Sequence, residues 1–333
     1  MNKTKEIKWA VLGTGVIANE MAQALAKADR KLYAVGNRTY EKAVAFAETY
    51  GVEKVYSDYN DMFTDPAVDA IYITTPHNTH ITFMKKAIEG GKHIFVEKSI
   101  TLNSAELKEA TLLAREHGVL IGEAMTIYHM PLYKKLREIL DTGELGRVNL
   151  ITVNFGSFKE YNMENRFFNR NLAGGAMLDI GVYALSLIRW FMKPDPKKLV
   201  TNMVPAPTGV DEQVTMLLSN YEGQMATVSL SLHSKQPKRA MISCEKGYIE
   251  IMEFPRAWEA RITDAVSGEV KTVSVGDHKD ALKYEIEDFE AAILGNENLL
   301  HLNYSENVME LMTKARQAWG MTYPEEEKGT VTK

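Results

Sequence analysis

Apolar positions arrive in two different rhythms along the chain. Through the first 124 residues, short apolar runs alternate with segments of helical spacing. Ile7–Leu12, Leu32–Gly36, Ala70–Thr74, His93–Val96 and Val119–Gly122 read as strands, and Val16–Ala28, Glu41–Tyr50, Thr79–Glu89 and Ser104–His117 as helices. In the first helix Ile17, Met21, Ala24, Leu25 and Ala28 fall on one face. Strands alternating with helices imply right-handed crossovers, and so a doubly wound parallel sheet with helices on both faces over residues 1–124.

After about Ala124 the rhythm changes. From Val148 onward there are longer alternating runs, Gln213–Leu218 and Met225–His233, with shorter ones at Ala240–Ser243 and Val270–Val275; these predict antiparallel strands of a second sheet. Met177–Met192 reads as a helix stopped by Pro194 and Pro196, and Lys283–Leu294 and Ser305–Trp319 as two more. The expected fold class is α/β, with a C-terminal α+β domain built on a large, mainly antiparallel sheet over 125–333. The tail after Pro324, rich in Glu and Lys, is expected to fray.

Composition narrows the function classes. A chain of 333 residues suits two cores, and a net charge of −5 shows no acidic or basic extreme that points to nucleic acid. Cys244 is the only cysteine, which excludes an intrachain disulfide and a Cys-rich metal site and suits a reducing cytoplasm. Met1–Glu6 is polar and lacks the apolar core of a secretory signal. No apolar stretch is expected to reach the roughly 18 residues of a membrane span, so the protein is expected to be soluble and cytoplasmic, without a membrane partner.

Gly13-Thr14-Gly15-Val16-Ile17-Ala18 matches G-x-G-x-x-G/A where a strand meets a helix, the setting of a Rossmann dinucleotide site. Gly13 permits the turn, Gly15 lets a pyrophosphate approach the backbone, and Ala18 lets the helix pack close to the sheet, while the first helical amides favour negative charge. The alternative is a glycine turn that binds nothing; the placement and the strand–helix repeats behind it weigh against that. The second strand ends Gly36-Asn37-Arg38, without the carboxylate that would bond a ribose 2′-hydroxyl and with Arg38 able to offer a planar fork to a 2′-phosphate, so NADP is favoured over NAD. Arg38 as a solvated surface charge is the competing reading.

The loop Thr74-Thr75-Pro76-His77-Asn78-Thr79-His80 lies at the carboxyl edge of the parallel sheet, where ligands bind. Its backbone at Thr75 and Pro76, with His77 and His80, forms a second set of cofactor candidates; capping of the next helix by Asn78 or Thr79 would account for the same polarity. Glu97 and Lys98 end the next strand at the same edge. Lys98 could bond a substrate hydroxyl, and a cationic nicotinamide together with partial burial would favour its neutral amine as a base; in isolation such a pair is more often surface charge than chemistry. Further on, Gly174-Gly175-Ala176-Met177-Leu178-Asp179-Ile180-Gly181-Val182-Tyr183 places a carboxylate and a phenol four residues apart, on one face of a helix, able to bind a polyol and relay a proton. The competing reading makes Asp179 a first-turn carboxylate answering the helix dipole and Tyr183 a packing residue.

On GTGVIA, TTPHNTH, Glu97-Lys98 and GGAMLDIGVY, nearly the whole chain resembles the glucose-fructose oxidoreductase, inositol dehydrogenase and MocA family, and within it the dimeric dihydrodiol and xylose dehydrogenase branch. The resemblance implies that Lys98 and Asp179 line the pocket beside the nicotinamide, that Tyr183 serves as acid or base, and that the C-terminal sheet forms a homodimer face. It also puts Glu123, Tyr128 and Arg166 among the substrate residues. Two positions depart from the family pattern: Ser99 stands where proline is usual after the Glu-Lys pair, and Tyr128 where the branch often carries arginine. The expected reaction is hydride exchange between a carbinol carbon of a sugar, polyol or cyclic diol and a nicotinamide cofactor, without a metal. A nucleotide-binding sensor that keeps the fold and has lost the chemistry is the alternative.

Overall fold

The computed structural model describes residues 6–328 and divides into two compact units. The first comprises the chain up to Thr101, Ala105–Ala124 and Lys279–Leu302. Its strands are β1 (Trp9–Leu12), β2 (Ala34–Gly36), β3 (Lys54–Val55), β4 (Ala70–Ile73), β5 (His93–Glu97) and β6 (Ile121–Ala124), hydrogen-bonded in the order β3-β2-β1-β4-β5-β6. All five pairings are parallel. The order reverses between β1 and β4, so the carboxyl ends of those strands flank the crevice where a doubly wound sheet takes its ligand.

Helices covering both faces of the sheet leave β1 and β4 buried along their whole length, which is why they read as unbroken apolar runs. The expected helices form at Val16–Lys27, Tyr40–Tyr50, His80–Glu89 and Ser104–His117. The two-residue β3 and the single turn Asp61–Thr64 are too short to leave a periodic signal.

One helix reaches this core from far along the chain. Ala281–Ile293, expected within the second domain, belongs to the first unit. Its Phe289 ring lies 5.4 Å from Trp9 and 5.0 Å from Phe95, centroid to centroid, and Glu290 takes a 2.7 Å hydrogen bond from the Trp9 indole and an ion pair from Arg30. Removing Phe289 from water is worth about 2 kcal/mol, and a one-piece division at residue 124 would forfeit it.

The second unit is built on β7 (Val148–Gly156), β8 (Lys198–Pro205), β9 (Asp211–Ser219), β10 (Met225–Ser231), β11 (Gln236–Cys244), β12 (Gly247–Met252), β13 (Glu259–Asp264) and β14 (Val270–Ser274). They pair in the order β14-β13-β12-β11-β7-β10-β9-β8, all antiparallel except β7 with β10. Alternation along β9, Val214, Met216 and Leu218 inward and Gln213, Thr215 and Leu217 outward, gives the sheet one buried and one open face.

Two helices precede this sheet, Thr126–His129 and Pro131–Asp141, the latter started by proline at its first position and burying Leu132, Tyr133 and Leu136. The stretch expected as one helix from Met177 is a π-turn, Met177–Gly181, continued by an α-helix, Val182–Phe191.

Two sequence expectations change here. An 18-residue window within Arg170–Phe191 is long and apolar enough to cross a membrane by length and composition alone, but 78% of it is buried inside the protein, as expected of a core helix. The start of the tail is ordered: Pro324–Lys328 is helical, and Glu326 receives two hydrogen bonds from Arg316, at 2.7 and 2.8 Å, and one from the Tyr323 amide, while the rest of the expected frayed stretch lies outside the described residues.

Candidate active site

The candidate cofactor residues lie in the first unit. Gly13 has φ +108°, closed to residues with a side chain, and a Cβ there would lie 2.5 Å from Thr74 Oγ1; its amide donates to Gly36 O at 2.8 Å. Gly13 thus lets the end of β1 touch both neighbouring strands. At Gly15 a Cβ would meet nothing within 4 Å, so the backbone faces an open cradle. The helix that follows has no side-chain cap and no acidic residue in its first turn, leaving Val16 and Ile17 at the end of a helix whose amides suit an anion. Thr14 accepts a 2.5 Å hydrogen bond from Asn37 Nδ2, which ties the glycine turn to the end of β2, and Arg38 beyond it is exposed. These residues fit the pyrophosphate and adenosine side of a dinucleotide.

At the ends of β4 and β5 the polar residues divide into those facing outward and those holding the frame. Pro76 is exposed and Thr75 half-buried, with Thr79 Oγ1 2.7 Å from both Thr75 Oγ1 and Pro76 O. His77 is nearly buried, with Nε2 3.0 Å from the carbonyl of Lys98. His80 is fully buried and lies between two carbonyls, Nδ1 3.0 Å from Ser99 O and Nε2 2.8 Å from Thr75 O. Burial holds its pKa below the usual histidine range, against the pull of those carbonyls, and a neutral ring donates to one of them at a time.

His80, a cofactor candidate from its place in the loop, thus straps two loops together through both ring nitrogens. Glu123, expected at the substrate, is likewise buried on β6 and accepts the Ile100 amide at 3.1 Å. Lys98 is half-buried, Ser99 is fully buried, and the peptide between them is cis. Glu97 accepts from the Tyr72 hydroxyl on the adjacent strand. The turn that aims Lys98 is therefore held by Tyr72, His77, His80 and Glu123, none of which the Glu-Lys motif itself announces.

The candidate substrate residues Arg166, Asp179 and Tyr183 lie in the second unit. Asp179 lies in the π-turn, nearly buried, 3.5 Å from the guanidinium of Arg166, which itself covers the Phe167 ring at 4.5 Å. Tyr183 opens the α-helix, its ring 6.3 Å from Phe155, and forms part of the wall of a cavity of about 620 Å³ with Phe155, Lys238, Arg256 and Trp258. Asp179 thus stands on a π-turn, a feature frequent at functional sites, and Tyr183 on the α-helix that continues it. Tyr128 is elsewhere, fully buried with its ring 6.0 Å from Trp190 and 5.8 Å from Tyr304. It packs as a core aromatic at the position where the family pattern differs.

A switch-point parallel sheet carrying an open glycine cradle, with a lysine at a neighbouring strand end and a second unit bearing a paired carboxylate and a phenol on a cavity, defines a nicotinamide-dependent oxidoreductase. Residues 7–125 match the oxidoreductase family with an NAD-binding Rossmann fold, and residues 133–250 match the GFO/IDH/MocA C-terminal domain, so the chain belongs to the GFO/IDH/MocA oxidoreductases. It is 28% identical to the trans-1,2-dihydrobenzene-1,2-diol dehydrogenase of Xenopus tropicalis, over 95% of this chain and 99% of that one. Among solved structures it resembles KijD10, a 3-ketoreductase from Actinomadura kijaniata in complex with NADP and TDP-benzene, with a TM-score of 0.83 at 21% identity over 94% of this chain and 98% of the other. It also resembles a levoglucosan dehydrogenase in complex with NADH, with a TM-score of 0.85 at 17% identity over 95% and 97%.

Proposed function

We propose that the protein oxidises or reduces a carbinol carbon of a sugar, polyol or cyclic diol with NADP(H), using Lys98, Asp179 and Tyr183. The observation that carries this is Tyr183 in the wall of a sizeable cavity with a paired carboxylate, Asp179, in the turn before it. When bound, the nicotinamide exchanges a hydride with the reacting carbon. Tyr183 or Lys98 takes the hydroxyl proton during oxidation and returns it during reduction, and Asp179, oriented by Arg166, accepts a hydrogen bond from a second hydroxyl. The aromatic walls Phe155 and Trp258 suit the apolar face of a ring whose hydroxyls lie at its edge. The test follows NADP⁺ reduction across aldoses, inositols and cyclic diols; turnover with one class is expected, and silence across all three, with NADPH still bound, would overturn the reading.

The choice of NADP rests on Arg38, exposed at the end of β2 where no carboxylate stands. Arg38→Ala should weaken NADPH binding about tenfold and leave NADH within twofold in a fluorescence titration, the size of one exposed charge-assisted contact. Tighter binding of NADH than NADPH by the unaltered protein would show that Arg38 reads no 2′-phosphate.

The open face of the large sheet supports a homodimer. Val200, Leu217, Met225, Leu150 and Tyr248 point outward from β8, β9, β10, β7 and β12, exposed between 37% for Leu150 and Tyr248 and 68% for Val200. Such a flat apolar band suits a second copy of itself packed face to face. Leu217→Lys should turn a dimer into a monomer in light scattering, and a monomeric unaltered protein would remove the proposal.

A further inference from the structure

The most constrained group in the second unit is a carboxylate absent from every motif above. Asp211, the first residue of β9, is fully buried, and its Oδ2 accepts the Met177 amide at 2.6 Å. Met177 opens the π-turn, and Ala176 before it supplies no side-chain cap, so a strand distant in sequence provides the acceptor that a capping residue normally would. Gly175 (φ +122°) runs directly beneath this carboxylate: a Cβ there would lie 2.2 Å from Asp211 Oδ1. Gly174 is pressed as closely on its other side, where a Cβ would fall 2.7 Å from Arg166 O and 2.8 Å from Phe167 O, and its own carbonyl accepts from the Tyr323 hydroxyl at 2.7 Å. The Gly175 amide donates to Phe167 O at 2.9 Å, and its carbonyl accepts from the Asp179 amide at 3.3 Å.

From this geometry we infer that Asp211 is a positioning residue for the reaction: it clamps the Gly174–Met177 turn and through it sets both Asp179 and the segment that brings Arg166 to Asp179. The inference rests on the proposed roles of Asp179 and Tyr183. The two glycines of GGAM then have a reason beyond flexibility, because a side chain at either would separate the turn from Asp211 or from the backbone of Arg166 and Phe167.

Burial pushes the Asp211 carboxyl up to about 7, opposed by the amides of Met177, Asp211 itself and Ala176 and by the positive charge of Arg316. Arg316 is in turn neutralised by Glu326, and Tyr323 stands over its guanidinium at 4.8 Å. A neutral amide could therefore replace the acid while still accepting from Met177, which sets the design of the test.

The experiment measures kcat, KM and NADPH affinity for Asp211→Ala, Asp211→Asn, Asp211→Leu, Asp179→Asn and Tyr183→Phe, with folding followed by circular dichroism. Asp211→Ala should lower kcat by about tenfold or more with NADPH affinity unchanged, while Asp211→Asn, which keeps an acceptor in the same place, holds kcat within about threefold and Asp211→Leu, of similar size without an acceptor, does not. Should the alanine variant fail to fold, Asp211→Ser, too short to reach the Met177 amide, carries the same expectation. A folded alanine or serine variant with kcat within twofold of the unaltered protein, while Tyr183→Phe is inactive, overturns this inference alone. An asparagine variant as impaired as alanine overturns the acceptor role. Full activity in both Asp179→Asn and Tyr183→Phe overturns the reading of the site and this inference with it.

Discussion

Lys98→Met should reduce turnover by about 10²–10⁴-fold, the range that a positioned proton-transfer group commands, and leave NADPH affinity within a few-fold. The expectation of an intact fold comes from how the lysine is mounted. The carbonyls of Lys98 and Ser99 face His77 and His80, the Ile100 amide donates to Glu123, and the Glu97 carboxylate is held by Tyr72. Methionine keeps the length and apolar stem of lysine and disturbs none of those bonds, so what disappears is the ammonium head. Steady-state kinetics with the best substrate from the panel, beside a fluorescence titration of NADPH, separate chemistry from binding. Turnover within tenfold of the unaltered protein would remove Lys98 from the reaction.

Gly15→Asp should weaken cofactor binding by about 100-fold or more without lowering the melting temperature of the protein alone, since each tenfold step is worth about 1.4 kcal/mol and a carboxylate would compete for the position of a pyrophosphate. The separation of the two effects is specific to this glycine. A side chain at Gly15 meets nothing within 4 Å and φ there is −76°, so the fold tolerates it; at Gly13 the same change drives a Cβ into Thr74 and forces a residue into φ +108°. Gly13→Ala should therefore lose stability and binding together. A Gly15→Asp protein that still binds NADPH as the unaltered one does would show that the cradle is not where the phosphates lie.

The difference between these two glycines also shows how far sequence reasoning reaches. GTGVIA was legible because everything it needs, the strand end, the turn and the helix start, is contiguous, and because the buried parallel strands around it write themselves as apolar runs. The parallel character of the first sheet and the one-sided alternation of the second followed from the same periodicities, whereas the strand order did not. What stayed hidden is what depends on partners far apart in the chain. His80 carries the signature of a ligand contact, and its part as a strap is invisible, since its partners at Thr75 and Ser99 come together only once β4 and β5 are side by side. Tyr128 reads as a pocket residue from its place after Glu123, and its packing against Trp190 and Tyr304 left no local sign. Asp211 has no local motif at all; its single trace is an acidic residue at the mouth of an alternating strand, which solvent exposure would explain as readily. The π-turn under Asp179 was equally silent, because a helical apolar pattern does not record one extra residue.

The return of Ala281–Ile293 to the first core bears on how the protein is made. A ribosome adds about 5–20 residues per second, so Trp9 and Phe95 emerge long before Phe289, and even Phe95 remains without it for roughly 10–40 s while the whole second sheet is synthesised. During that interval the amino-terminal sheet carries an uncovered aromatic surface, and a fragment ending at Ala124 would keep that surface permanently, open to aggregation and to chaperones.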